Sequence, residues 1–128
     1  MNSGQFMEGN DMAAFEISKY DREINWDSYE EVLNAEILIN KVICSGWVYE
    51  KYLWPAIREL KIIYFRGDGE IRKCNLEAVM KELKLLIEWV EVHVEGKDLD
   101  YIKSRLQYMQ KFIPENLQED DDVLYLFW

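Results

Sequence analysis

Few residues of this chain have the types and spacing that chemistry requires. His93 is the only histidine, so a site built on two histidines cannot form, and it lies in no nucleophile motif. Its position near the end of a predicted helix favours a structural role, since the helix dipole stabilises a protonated imidazole there. Cys44 and Cys74 form no CxxC pair, and we expect two reduced thiols.

The acidic clusters do not have the spacing of metal sites. The loop GDGE at 67–70 lacks the alternating ligands of a calcium-binding EF-hand loop, and we interpret it as a turn. Asp120, Asp121 and Asp122 are adjacent and do not converge on one cation. The six glycines form neither GxGxxG nor GxxxxGK[ST], so no phosphate cradle is indicated. We therefore predict no catalytic residue, no cofactor and no metal, and expect that the protein is not an enzyme.

The overall charge excludes several classes of partner. The 128 residues carry a net charge of −10, which argues against binding to nucleic acid or to anionic membranes, because both depend on clustered Lys and Arg. No apolar run approaches the roughly 20 residues of a membrane-spanning helix. The first residues lack the pattern of a signal peptide, so we expect a cytoplasmic protein.

The acidity belongs to the two ends of the chain. Residues 1–40 hold nine acids and two bases, residues 114–128 hold five acids and no base, and residues 41–113 are nearly neutral. If the ends lie close together, as they often do in single domains, one face becomes strongly negative and attracts a basic partner. The alternative interpretation is that the acids only keep an aromatic-rich protein in solution.

Aromatic residues add candidate anchors for a partner. The chain has five Trp, eight Tyr and five Phe, and those at 47–54 are too dense to face inward together on one helix. The alternative is that a wide, kinked helix buries most of them. The predicted partner-binding residues combine acids with aromatics: Glu23, Asp27, Glu30, Glu31, Trp47, Tyr49, Asp120, Asp121, Asp122 and Trp128.

The first half of the chain is predicted to be mainly helical. Residues 1–12 are rich in Gly, Asn and Ser and are expected to form a disordered lead-in, and residues 13–26 fit a short helix or strand. Ser28 and Glu31 have capping-box spacing, which predicts the start of a helix. The apolar run 32–43 then predicts a central helix contacted on several sides. Pro55 predicts a kink or a new helix that begins there.

The second half contains the strongest periodicity. Residues 76–95 and 98–113 repeat apolar side chains at helical spacing, with Asn75 and Asp98 as predicted N-caps, Gly96 as the first break and Pro114 as the end. The short link predicts an antiparallel helical hairpin over 75–113. Residues 61–74 suit a small β-hairpin or, alternatively, a helix end plus a loop. The apolar end 123–128 suits a strand or, alternatively, an exposed anchor for a partner.

These patterns predict a mostly α single domain over 13–128, with four or five helices. The predicted function is that of a non-enzymatic acidic binding protein that neutralises a basic protein, most concretely a bacterial immunity protein for a nuclease toxin. A phage-type inhibitor that mimics nucleic acid and an oligomerising scaffold subunit are the alternatives. We favour a monomer.

Overall fold

The computed structural model describes residues 13–128, so the predicted lead-in at 1–12 lies outside the described part of the chain. Helices account for 53 % of the described residues and strands for 22 %, and the strands form one four-stranded antiparallel sheet. The mostly α prediction is therefore wrong, because the fold is mixed. The extent of the domain stays a prediction.

Residues 13–128 form four strands and five α-helices. The strands are β1 (Ala14–Tyr20), β2 (Ile37–Ser45), β3 (Gly69–Arg72) and β4 (Val123–Phe127). The α-helices are α1 (Tyr29–Asn34), α2 (Gly46–Val48), α3 (Trp54–Leu60), α4 (Leu76–His93) and α5 (Gly96–Glu115). A π-helical turn (Tyr49–Leu53) joins α2 to α3, and a 3-10 turn (Lys73–Asn75) precedes α4.

The sheet has the order β2-β1-β4-β3, so the first and last strands of the described residues lie side by side at its centre. Ile17 of β1 pairs with Leu126 of β4, and Leu124 pairs with Ile71 of β3. The predicted C-terminal strand is thus present, and the ambiguous segment after residue 13 is also a strand.

The predicted central helix over 32–43 is wrong. Helix α1 ends at Asn34, because Ala35 adopts an extended conformation, and the rest of the apolar run forms β2. This run is rich in Ile and Val, which favour strands, and a continuous apolar run does not by itself distinguish a buried helix from a strand. Because β2 is an edge strand, it leaves Ile37, Leu38 and Val42 exposed.

The predicted hairpin at 61–74 is also wrong. Lys61 has a φ of 57°, which ends α3 in the left-handed region, and the following residues form turns in which Ile62 and Phe65 are buried. Only 69–72 form a strand, and its partner is β4. Ile62 and Phe65 of the KIIYFR run are therefore buried by a loop that packs against the core, and not by strand pairing.

The helical hairpin is confirmed, with shifted ends. Helices α4 and α5 pack antiparallel, and Gly96 has the positive φ, 65°, that the sequence predicts for the break. Helix α5 begins at Gly96 with Glu95 as its N-cap, so Asp98 lies in its first turn instead of capping it. Pro114 lies within the last turn of α5 and does not end it.

The aromatic segment 46–60 changes its helical geometry next to Pro55. The helix widens into the π-helical turn, and Pro55 lies in the first turn of α3. Tyr49 is fully buried, and its hydroxyl donates to the carbonyl oxygen of Phe65 (2.6 Å). The indole of Trp128 lies so close to Gly46 that a Cβ there would meet it at 2.6 Å, so a side chain at this position would displace the indole.

The main core lies between the sheet and the helical hairpin. Phe15, Ile17, Leu124 and Leu126 contribute from the sheet, and residues such as Leu83 contribute from the helices. A smaller apolar cluster of Ile24, Val123 and Tyr125 covers the other face of the sheet. The sheet therefore has buried apolar side chains on both faces, but only one face is covered by long helices.

Candidate acidic binding face

The segment 21–36, which carries most of the predicted N-terminal acids, lies over the sheet face that the long helices leave uncovered. Ile24 fixes it there: its side chain is buried, and its backbone N–H donates to the hydroxyl of Tyr125 (2.9 Å). Trp26 packs edge-to-face with Tyr125, at 5.2 Å between ring centroids. These contacts set the positions of Glu23 and Asp27 beside them in sequence.

The start of α1 holds Glu31 next to this segment. Ser28 Oγ accepts from the backbone N–H of Glu31 (3.3 Å), as the capping-box spacing predicts. The reciprocal bond differs, because Glu31 Oε1 accepts from the backbone N–H of Asn25 (3.4 Å) instead of that of Ser28. The Glu31 carboxylate is thereby turned toward the loop that carries Asp27. Glu30 is exposed on α1 and lines none of the hollows described next.

Three adjoining hollows, which we call together the acidic face, lie along this side of the molecule. The tail groove, of about 490 Å³, is lined by charged side chains from both ends of the chain: Lys19, Asp21, Arg22, Glu23, Asp121 and Asp122. The loop groove, of about 500 Å³, has the charged residues Glu23, Asp27, Glu31, Glu70 and Arg72. The aromatic pocket, of about 460 Å³, is lined by Trp26, Tyr125, Phe127, Leu126, Asp68, Gly69 and Glu70. Shared residues join them, Glu23 between the first two and Trp26 and Glu70 between the last two.

The acidic face has far more carboxylates than bases. Eight acids line the three hollows against three bases, and each base is already paired within the chain. The pairs are Lys19–Asp122 (3.0 Å), Arg22–Asp21 (2.9 Å) and Arg72–Glu23 (2.7 Å). By contrast, Asp27, Glu31, Asp68 and Asp121 make no ion pair with any residue of 13–128. The field of this side of the molecule is therefore negative.

Hydrogen bonds keep several of these acids ionised. The guanidinium of Arg22, with the backbone N–H of Glu36, lowers the pKa of Asp21 to about 2. The hydrogen bonds from Arg72 lower the pKa of Glu23. The backbone N–H of Glu119, followed by Lys19, lowers the pKa of Asp122. Since ordinary carboxyl pKa values are already near 4, all three remain charged well below neutral pH.

The three predicted tail acids have different roles. Asp122 is half-buried and structural, because it accepts from the backbone N–H groups of Gln118 (3.0 Å) and Glu119 (2.8 Å) and pairs with Lys19. Asp120 is exposed and lies 3.6 Å from Lys73. Only Asp121 lines the tail groove without an ion pair among the described residues.

Trp47 and Tyr49 lie away from the acidic face, and Trp128 lies at its edge, where its backbone N–H donates to Asp68 (3.0 Å). Trp47 is 60 % exposed and lines a separate pocket with Tyr52, Asp98 and Tyr101. Tyr49 belongs to the core and is not accessible. Trp128 is 40 % exposed, but its ring packs on Tyr49 at 4.7 Å between centroids. These three residues therefore do not form one surface with the predicted acids.

Sequence reasoning missed several residues of the acidic face, among them Trp26, Asp68 and Glu70. Trp26 lines the aromatic pocket and is 44 % exposed. Asp68 and Glu70 come from the GDGE loop, which sequence analysis interpreted only as a turn. The pairing of β3 with β4 carries this loop next to Trp26, and no local pattern encodes that pairing. The available signal was weak: a turn with two acids next to a short, strand-like segment.

The remaining reactive groups are spread apart. His93 Nδ1 donates to the carbonyl oxygen of Trp89 (2.9 Å), and its ring stacks on that indole. Cys44 is buried, which raises its pKa to about 12, and Cys74 is exposed, each with a free thiol. Within residues 13–128, no three His, Cys, Asp or Glu side chains come together in a way that suits a metal ion.

Comparison with known proteins adds no relative. No family model, no curated protein and no solved structure matches the chain. Among the helices of the described residues, none has both the length and the apolar character needed to cross a bilayer.

Proposed function

We propose that the protein is a non-catalytic, cytoplasmic binding protein whose acidic face neutralises a basic protein partner. The single observation that carries the proposal is the excess of eight carboxylates over three bases on one side of the molecule, with every one of those bases already paired inside the chain. Such a face attracts a positive surface and speeds its association.

The most concrete form of this proposal is an immunity protein for a nuclease toxin. A nuclease needs a positive cleft to hold phosphates, and a compact acidic protein complements that cleft. The acids line three adjoining hollows, one of them aromatic, and three bases lie among them, which suits a compact mixed interface better than mimicry of a regular nucleic-acid backbone. The expected partner is a basic nuclease domain encoded beside the gene, which the protein inhibits in a one-to-one complex.

We expect that neutralising three of the four unpaired acids of the acidic face slows association with this partner. The face variant is Asp27→Asn, Glu31→Gln and Asp121→Asn, and each replacement keeps a hydrogen-bond acceptor. The matched control removes the same charge from exposed helical positions elsewhere, through Glu77→Gln, Glu88→Gln and Asp100→Asn. In stopped-flow experiments at low salt, the on-rate of the face variant should fall by about tenfold, and the off-rate should change less.

Salt provides the second arm of this test. For the natural protein, the on-rate should fall steeply between 0.01 M and 0.15 M salt, as the Debye length shortens from about 30 Å to about 8 Å. The control variant should keep an on-rate within about twofold of the natural protein, because steering depends on where the charges lie and not on net charge alone. An on-rate that is flat with salt, with equal values for the face and control variants, would contradict the proposal.

One observation favours a second candidate function, that of a self-associating scaffold subunit. Edge strand β2 exposes Ile37, Leu38 and Val42, and a second copy of the chain could pair with it. Arg105 from α5 covers only the carbonyl oxygens of Val42 (2.9 Å) and Ile43 (2.6 Å). Light scattering distinguishes the two functions: the scaffold requires the mass of two or more chains, and a monomer at high concentration contradicts it.

A further inference from the structure

The aromatic pocket of the acidic face has rigid aromatic walls. Trp26 packs nearly perpendicular to Tyr20 (5.8 Å between centroids), Tyr125 (5.2 Å) and Phe127 (5.8 Å). Three rings therefore hold the indole in place, although nearly half of its surface is exposed. A ligand that stacks on this indole would not have to order it first, so little conformational entropy is lost on binding.

Two carboxylates at the rim of this pocket each use only one of their two oxygens in a hydrogen bond within the described residues. Asp68 Oδ1 accepts from the backbone N–H of Trp128 (3.0 Å), and Glu70 Oε1 accepts from Arg72 (3.1 Å). The second oxygens, Asp68 Oδ2 and Glu70 Oε2, have no hydrogen-bond partner among residues 13–128. The pocket thus combines a held aromatic ring with two acceptors that are still available.

A second aromatic pocket of the same chain differs in having a cation of the chain beside its rings. Trp47, Tyr52 and Asp98 also bring aromatic rings and a carboxylate together. There the chain supplies its own cation, since Lys51 Nζ lies 5.1 Å from the ring centre of Tyr52 and 5.8 Å from that of Trp47. In the aromatic pocket, no Lys or Arg of the described residues stacks on Trp26. The neighbouring cation, Arg72, pairs with Glu70 (3.1 Å) and Glu23 (2.7 Å) and does not stack on the indole, so the ring face of Trp26 has no cation from the described residues.

We propose that the aromatic pocket takes one arginine side chain of the basic partner, with the guanidinium between Trp26 and the carboxylates of Asp68 and Glu70. A guanidinium is planar, stacks on aromatic rings and donates several hydrogen bonds at once, whereas the ammonium of lysine is compact and strongly hydrated. This inference rests on the proposed function for the identity of the partner. It uses residues that the face variant leaves unchanged.

The test uses a blocked Gly-Arg-Gly tripeptide as the probe, with citrulline and lysine tripeptides as comparisons, and follows the indole N–H signals of the labelled protein by NMR. Replacement Trp26→Phe assigns the Trp26 signal. The arginine peptide should shift this signal in a saturable way. Citrulline has nearly the same shape without the charge, and its peptide should bind at least about tenfold more weakly. Lysine should also bind more weakly than arginine.

Two variants separate a specific pocket from general attraction to an acidic protein. Asp68→Asn with Glu70→Gln should weaken the arginine peptide by about tenfold, since both charged acceptors are lost. Asp27→Asn removes a nearby charge outside the pocket and should change binding by less than about twofold, because exposed charges are screened. Equal binding of the arginine and citrulline peptides would overturn the inference, as would peptide shifts that move the Trp47 signal and leave Trp26 in place.

The two proposals can fail separately. If the face variant slows association with the nuclease domain but the arginine peptide does not reach Trp26, the proposed function stands and the arginine pocket is wrong. If the peptide binds at Trp26 but the face variant associates like its control, the pocket stands and charge-steered neutralisation of a basic partner is wrong.

Discussion

Deletion of residues 123–128 is expected to unfold the protein. These residues include β4, which lies between β1 and β3, so their loss removes both pairings and leaves the sheet without its centre. Leu124 and Leu126 are buried in the main core, and losing a buried leucine typically costs about 2–5 kcal/mol. The deletion removes both leucines and also the backbone hydrogen bonds that β4 makes with β1 and β3. The combined loss approaches the whole free energy of unfolding of a small domain, which is typically about 5–15 kcal/mol.

Circular dichroism and thermal melting check this expectation. The truncated chain should lack a cooperative unfolding transition, and the full-length Trp128→Ala variant should keep one, because it leaves β4 intact. The sequence left open whether this apolar end is a strand or an exposed anchor for a partner. If the truncated chain melts cooperatively, at nearly the melting temperature of the full-length protein, then β4 does not stabilise the fold. The interpretation of this segment as an anchor for a partner would then be favoured.

Replacing Leu83 by Ala is expected to lower the free energy of unfolding by about 2–5 kcal/mol. Leu83 is fully buried on α4, in the layer between the sheet and the helical hairpin, so the replacement leaves a cavity. Leu85 lies on the same helix but is 38 % exposed, and Leu85→Ala should cost less than about 1 kcal/mol.

Denaturant unfolding of both variants measures this difference. The pair shares helix, residue type and replacement, so a difference in helix propensity cannot account for a difference in stability. Equal losses for Leu83→Ala and Leu85→Ala would mean that α4 does not present this face to the core.

The elements that the sequence predicts well are those that local periodicity determines. Helices α4 and α5 repeat apolar residues at helical spacing over several turns, and the positive φ of Gly96 marks their break. Strand β2 was missed because its apolar run is nearly continuous, and only pairing with β1 determines that it is extended. Strand β3 was given the wrong partner because β4, which pairs with it, lies far along the chain.

The candidate site divides in the same way. Charge alone pointed to Glu23, Asp27 and Glu31, and they line one groove. Trp26 and Glu70 could not be joined to them from the sequence, because their proximity depends on strand pairing between distant segments. Acidic residues can be counted in the sequence, but which of them line one pocket depends on the strand pairing.

The position of β4 also determines the order in which this chain can acquire its structure during synthesis. Ribosomes add residues from the N-terminus, so β1 and β2 emerge early, and the local α4–α5 hairpin can close before β4 exists. The contact between Ile24 and Tyr125 joins residues 101 positions apart and must wait for the last strand. Until then, β1 has an open edge and the apolar faces of α4 and α5 lack their sheet. We therefore expect the nascent chain to expose these apolar surfaces to chaperones until β4 has been synthesised and pairs with β1.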